Sequence, residues 1–191
     1  MKTGLFFGSF NPIHIGHLAI ANYMAEFTDL EEIWFVVSPQ NPLKQKETLL
    51  ADYHRLELVN IAINDNPVYK ASNIEFSLPK PSYTINTLVH LQEKYPTRQF
   101  ALIMGMDNLQ TLHKWKNYER ILSDYQLYVY PRKDSNPSEW VSHPGVKITS
   151  APIMELSSTF IRQAIKDKKD VSYFLHPKVY EYIQEMHFYE K

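Results

Sequence analysis

A doubly wound α/β fold, with helices on both faces of a parallel sheet, is what this sequence predicts, on three observations. Short β-branched and aromatic runs alternate with stretches whose apolar residues fall three or four apart. The chain has 191 residues, 44% of them hydrophobic and 21% charged, enough for one continuous core and cramped for a second full domain. Strands separated by helices must be parallel and joined by right-handed crossovers, because tight hairpins link only antiparallel neighbours.

Taken in order, residues 3–8 read as the first strand and 15–27 as the first helix. Residues 32–38 form the second strand, followed by a helical pattern over 52–64 in which Leu56, Val59 and Ile63 share a face. A third strand is expected over 68–76, a helix over 84–95, a strand over 100–105 and a helix over 118–124. Strands over 126–130 and 146–150 complete the sheet. Two helical patterns, 158–168 and 177–186, then follow without a strand between them. The expectation is a single domain over 1–191, with the last two helices, about 157–191, closing one end.

Charge and composition exclude several classes of function. Twenty Lys plus Arg against 21 Asp plus Glu leave a net charge of -1, so no general field draws a long polyanion, and no nucleic-acid partner is expected. The absence of cysteine removes disulfides, thiolate metal sites and thiol nucleophiles together and suits a reducing, cytoplasmic setting. The apolar runs, best at 33–37 and 100–104, fall far short of the roughly 18 residues of a membrane span, and the N-terminus lacks the pattern of a secretion signal. A soluble protein with no membrane partner is expected; a homo-oligomer is compatible with the sequence.

Ligands of open α/β sheets bind beyond the carboxyl ends of the strands, where the strand order reverses, so the segments just after strands are the ones to read for chemistry. The first strand is followed by GSFNPIHIGH (8–17). Gly8 permits close approach of backbone to a ligand, the helix start offers unpaired N–H groups to an anion, and His14 and His17 add side-chain donors. A metal reading exists for two histidines three apart, but His14 falls at the cap and no third ligand is evident. The histidines at 54, 90, 113, 143, 176 and 187 sit in no recognisable ligand spacing. Near the other end, LSSTFIR (156–162) opens a helix with the hydroxyls of Ser157, Ser158 and Thr159 and sets Arg162 one turn in, a second anion cradle. The plain alternative is an N-cap serine and a solvated arginine.

The string HIGH (14–17) resembles the signature of nucleotidylyltransferases and class I aminoacyl-tRNA synthetases, which act on the α-phosphate of ATP. Its combination with SSTFIR resembles the nicotinate-nucleotide adenylyltransferase family. Also similar, in order along most of the chain, are NPLK (41–44), PSYTINTL (81–88), GMDNL (105–109), Trp115 and YPR (130–132). The resemblance implies a Rossmann-like nucleotidylyltransferase fold with C-terminal helices. It also implies adenylyl transfer from ATP to nicotinate mononucleotide, giving deamido-NAD and pyrophosphate in NAD biosynthesis, with Mg2+ accompanying ATP as co-substrate.

Residue by residue, the resemblance places His14 and His17 on the ATP phosphates as the catalytic pair. Gly8, Ser9, Phe10, Gly105, Asp107, Ser157, Ser158, Thr159 and Arg162 would complete the ATP site, Asp107 holding a ribose by its hydroxyls. Lys44, Tyr83, Thr84, Trp115 and Arg132 would receive nicotinate mononucleotide. In that set the helix start at Tyr83 and Thr84 would favour a carboxylate, and Trp115 would stack on the cationic pyridine ring. Trp115 as a core residue and Thr84 as a simple cap are the plain alternatives. An acceptor phosphate, whose second pKa is near 6, needs no general base, so direct in-line attack without a covalent intermediate is expected.

Four positions depart from the family pattern: Leu43 where His is common, Asn86 where an acid is frequent, Lys133 where Pro or Gly often follows the arginine, and Ser9 where Gly or Thr is common, the last changing the turn little. Phosphopantetheine adenylyltransferase shares the HIGH loop and the late helix but has no need of PSYT or the tryptophan. A class I synthetase is disfavoured by the missing KMSKS loop, and a non-catalytic nucleotide-binding module by the retained His17.

Overall fold

The computed structural model describes residues 1–39, 49–133, 135, 136 and 138–190. Six parallel strands form one sheet: β1 (Lys2–Gly8), β2 (Glu32–Val37), β3 (Tyr69–Ser72), β4 (Gln99–Gly105), β5 (Gln126–Tyr130) and β6 (Val146–Ile148). Their spatial order is β3-β2-β1-β4-β5-β6, the doubly wound arrangement expected from the alternation of elements. Register pairs Gly8 with Val37 across β1 and β2, Phe6 with Ile103 across β1 and β4, and Gly105 with Tyr130 across β4 and β5.

Because side chains alternate along a strand, the central strands are apolar on both faces and supply two cores. Phe6, Phe35, Ile103 and Tyr128 point to the face covered by α1 (Ile15–Phe27), α2 (Asp52–Ile63), α6 (Ser158–Lys166) and α7 (Pro177–Glu185). Leu5, Val36, Leu102 and Val129 point to the face covered by α3 (Thr84–Lys94), α4 (Met106–Gln110) and α5 (Tyr118–Asp124). The chain leaves β1 toward the first face and β4 toward the second, so a crevice opens between the carboxyl ends of these neighbours. At the opposite end of the sheet the charges serve packing: Asp29 accepts hydrogen bonds from Lys2, Tyr128 and Lys147, which hold its carboxyl well below the usual range.

Two elements differ from the sequence expectation. The strand expected over 68–76 stops at Ser72, and Ile74–Ser77 forms a 3₁₀ turn. There the buried Glu75 carboxylate accepts the Thr87 hydroxyl at 2.7 Å and the Ser82 hydroxyl at 3.3 Å, partners on the α3 side that an extended edge strand would not reach. The segment Met106–Gln110, read from the sequence as a motif, is also a short helix that starts at once from Gly105. No helix among the described residues is long and apolar enough to cross a membrane.

Candidate active site

The loop after β1 is built on local strain. Phe10 adopts a left-handed backbone (φ 44) although its side chain is fully buried, a conformation kept only where the surroundings hold it. Its ring packs edge-on against Phe6 at 5.9 Å, Phe35 at 5.6 Å and His17 at 5.1 Å. A Cβ on Gly8 would meet that ring at 2.9 Å, so glycine is needed there for Phe10.

His14 and His17 stack with ring centroids 3.7 Å apart. His14 is buried at the N-cap of α1, and burial together with the Arg132 charge lowers its pKa from 6.5 to about 4. Its Nδ1 is buried without a hydrogen-bond partner among the described residues. The backbone N–H of His14 donates to His17 Nδ1 at 3.2 Å, which leaves the His17 ring proton on Nε2. Gly16 makes room for the pair, since a Cβ there would lie 3.0 Å from the His14 ring.

Residues near the other end of the sequence face this loop. Ser157 is the N-cap of α6 and accepts the Phe160 N–H at 3.1 Å. The Ser158 hydroxyl donates to the Pro12 carbonyl at 2.9 Å, while Arg162 Nη1 donates to the Asn11 carbonyl at 2.8 Å and Nη2 to Thr159 Oγ1 at 3.3 Å. The Ser158 proton is thus donated to a carbonyl, whereas Ser157 accepts a hydrogen bond and keeps its own O–H to donate, beside the early backbone N–H groups of α6. Between the two segments lies a cleft of about 390 Å³, lined by Gly8, Ser9, Phe10, His14 and His17 from one side and Ser157, Ser158, Thr159 and Arg162 from the other.

Asp107, Tyr130 and Arg132 form a further wall of the cleft. Arg132 Nε lies 3.8 Å from Asp107 Oδ1, and its guanidinium sits over the Tyr130 ring at 5.2 Å. A Cβ on Gly105 would meet Asp107 Oδ1 at 2.3 Å, so the strand must end in glycine for the carboxylate to stand there. Arg132 therefore lies among the residues assigned to ATP rather than beside Tyr83, Thr84 and Trp115.

Those three residues line a second cavity of about 260 Å³, together with Glu75, Ser82, Lys114 and Lys116. Tyr83 is the N-cap of α3 and makes no side-chain cap bond, so the first N–H groups of the helix have no hydroxyl of that residue upon them. Lys116 Nζ lies 4.7 Å from the Tyr83 ring centroid, and half-buried Trp115 packs against the second core. Asn86 is exposed in the first turn of α3. Phe7, Gly8, Ser9 and Asn108 line both cavities, which therefore adjoin. Lys44 and Leu43 lie outside the described residues. Among the described residues no group of three His, Asp or Glu side chains could hold a metal ion.

Sequence reasoning missed Arg55, which is fully buried in α2. Its guanidinium donates to the carbonyls of Ser9 at 2.5 Å, Ser38 at 2.9 Å and Leu50 at 2.9 Å and pairs with Asp52 at 2.6 Å. It pins the loops after β1 and β2 together. The only sequence signal was an arginine on the apolar side of the 52–64 pattern, beside Leu58 and Val59.

Comparison with known proteins places the chain in a family and a fold. The cytidylyltransferase-like family matches residues 5–164. A probable nicotinate-nucleotide adenylyltransferase of Flavobacterium psychrophilum is 58% identical across the whole of both chains. Another from Bacteroides thetaiotaomicron is 51% identical over 97% of this chain and 92% of its own. In fold, the chain is similar to Plasmodium falciparum nicotinic acid mononucleotide adenylyltransferase complexed with NaAD, with a TM-score of 0.82 at 19% identity, covering 99% of this chain and 97% of that one.

Proposed function

The chain belongs to the nicotinate-nucleotide adenylyltransferase family, and from that premise we propose how its two adjoining cavities divide the substrates of adenylyl transfer in NAD biosynthesis. The larger cleft takes ATP, with the triphosphate between the HIGH loop and the start of α6 and a ribose on Asp107. The smaller cavity takes nicotinate mononucleotide, its pyridine on Trp115 and its carboxylate at the start of α3. The observation that carries this division is the shared wall of Phe7, Gly8, Ser9 and Asn108, across which the two phosphates would meet.

The chemistry asks little of the protein beyond position and charge. An oxygen of the acceptor phosphate attacks the α-phosphorus of ATP in line. The O–P bond forms as the bond to the β-phosphate bridging oxygen breaks, and pyrophosphate leaves with the electron pair. The acceptor oxygen is already ionised near neutral pH, so no side chain has to remove a proton and no covalent intermediate is formed. His17 Nε2–H and the neutral His14 ring donate hydrogen bonds to oxygens that gain charge. The N-terminus of α6 and the Arg162 guanidinium act on the departing phosphates.

Magnesium is read as entering with ATP; on the nucleotide it would neutralise phosphate charge. The positive end of α3 and the Lys114 and Lys116 side chains lining the acceptor cavity favour a carboxylate over a neutral carboxamide. Arg132, in the larger cleft, is read as bridging toward the acceptor phosphate. The whole chain acts as one cytoplasmic domain, with the last two helices closing one end.

The test offers purified protein ATP and magnesium with nicotinate mononucleotide, nicotinamide mononucleotide or phosphopantetheine in parallel. Pyrophosphate release fastest with the acid supports the reading. Release with phosphopantetheine alone, or with none of the three, contradicts it.

A further inference from the structure

The C-terminal tail reaches the site loop from the far end of the sequence. The Tyr189 hydroxyl donates to Asn11 Oδ1 at 2.9 Å across 178 residues of sequence. To make this approach the backbone turns twice into the left-handed region, at His187 (φ 53) and Tyr189 (φ 67), conformations that cost energy for any residue with a Cβ. Phe188 between them is buried, its ring edge-on to His54 at 4.7 Å and to Tyr182 at 5.8 Å, so packing holds the tail in place. Burial also pushes the Tyr189 phenol well above its ordinary pKa, which keeps it a neutral donor.

Asn11 joins several parts of the site. Its Oδ1 also accepts the Leu50 N–H at 3.2 Å, and its carbonyl accepts Arg162 Nη1 at 2.8 Å. Two donors on one amide oxygen fix which end of the carboxamide is which. Asn11 lines the larger cleft and lies in the loop that delivers His14.

We propose that Tyr189 is a positioning residue for nucleotide binding, acting through Asn11 to hold the loop that carries His14 and His17 against α6. The role rests on the assignment of the larger cleft to ATP. It explains why a strained tail is packed onto this loop rather than left in solvent. Tyr189 itself touches neither substrate in this account.

The experiment uses the full chain with Tyr189→Phe, which keeps the ring and removes only the hydroxyl, Asn11→Ala, and the double variant. Affinity for magnesium ATP is measured by calorimetry without acceptor, alongside KM for each substrate and the melting temperature. Tyr189→Phe should weaken ATP binding by about fivefold to tenfold, the effect of one lost hydrogen bond at a buried acceptor, and leave KM for nicotinate mononucleotide unchanged. In the Asn11→Ala background it should cost nothing more, because the two act as a unit.

Unchanged ATP affinity in Tyr189→Phe would overturn the proposal. So would an additive loss in the double variant, or equal losses for both substrates that track a lower melting temperature. Wild-type turnover with an unaffected Tyr189→Phe sinks the brace alone. Wild-type ATP binding without adenylyl transfer sinks the assigned reaction, while the binding data still decide the role of Tyr189.

Discussion

The imidazole rings of His14 and His17 stack with centroids 3.7 Å apart and planes 29° from parallel. Two imidazolium ions so placed would repel, and the structure removes the conflict by keeping His14 neutral through burial and the nearby Arg132 charge. A neutral ring still carries one N–H donor, so the pair can donate to phosphate oxygens without first gaining a proton. On the proposed reading, a bound triphosphate would strengthen both contacts by its own charge.

The first prediction follows from that pair. In the free protein the His14 ring should titrate at about 4 rather than 6.5, read from its NMR resonances, and should move upward on addition of magnesium ATP. The folded pKa lies below the unfolded one, so between pH 6.5 and 4 the unfolded chain binds more protons and stability falls with falling pH. The loss is on the order of 3 kcal/mol when complete. Urea unfolding from pH 7 to 4 should show this slope in the wild type and a shallower one in His14→Gln. Titration of His14 at an ordinary histidine value would contradict the assignment.

Replacing His17 by Ala should lower kcat by the roughly 2.7 to 4 kcal/mol lost with one oxyanion-type donor, while KM for ATP changes far less. Steady-state kinetics with both substrates at saturation provide the check. Turnover close to wild type would remove His17 from the chemistry.

Trp115→Ala should act on the other substrate. Loss of ring stacking and of its attraction for a cationic pyridine should raise KM for nicotinate mononucleotide by about tenfold. KM for ATP should stay near its wild-type value, since Trp115 lines only the smaller cavity of the two. Equal rises for both substrates would point to a role in packing alone.

Arg55→Met should destabilise the protein before it affects catalysis. The change leaves the part-buried carbonyls of Ser9, Ser38 and Leu50 without this donor and Asp52 without its close partner. The expected loss exceeds about 3 kcal/mol, and the melting temperature should fall by roughly 10 °C. A melting curve that overlays the wild type would show that the guanidinium does not hold the two loops.

What the sequence makes legible and what it hides divide along sequence distance. Strand and helix order is readable because hydrophobic periodicity is a local property, and the HIGH loop is readable because its residues are contiguous. The third strand is overextended because alternation in Ile74, Glu75 and Phe76 looks like a pleat, while the partners that turn Glu75 inward, Ser82 and Thr87, come later in the chain. Arg55 is illegible for the same reason, its carbonyl partners at Ser9 and Ser38 lying 46 and 17 residues away. The hydrogen bond that the Ser158 hydroxyl donates to Pro12, 146 residues away, is hidden from local pattern in the same way. Arg132 likewise follows the fifth strand in sequence, and only the sheet order puts it beside Asp107.

The most direct test of the account is a crystal structure of the protein with magnesium and a non-hydrolysable ATP analogue. The account predicts the triphosphate between residues 8–17 and 157–162, with His17 Nε2 and backbone N–H groups of α6 both within hydrogen-bond distance of its oxygens. A triphosphate touching one of these segments alone, or lying outside the cleft they enclose, would contradict it.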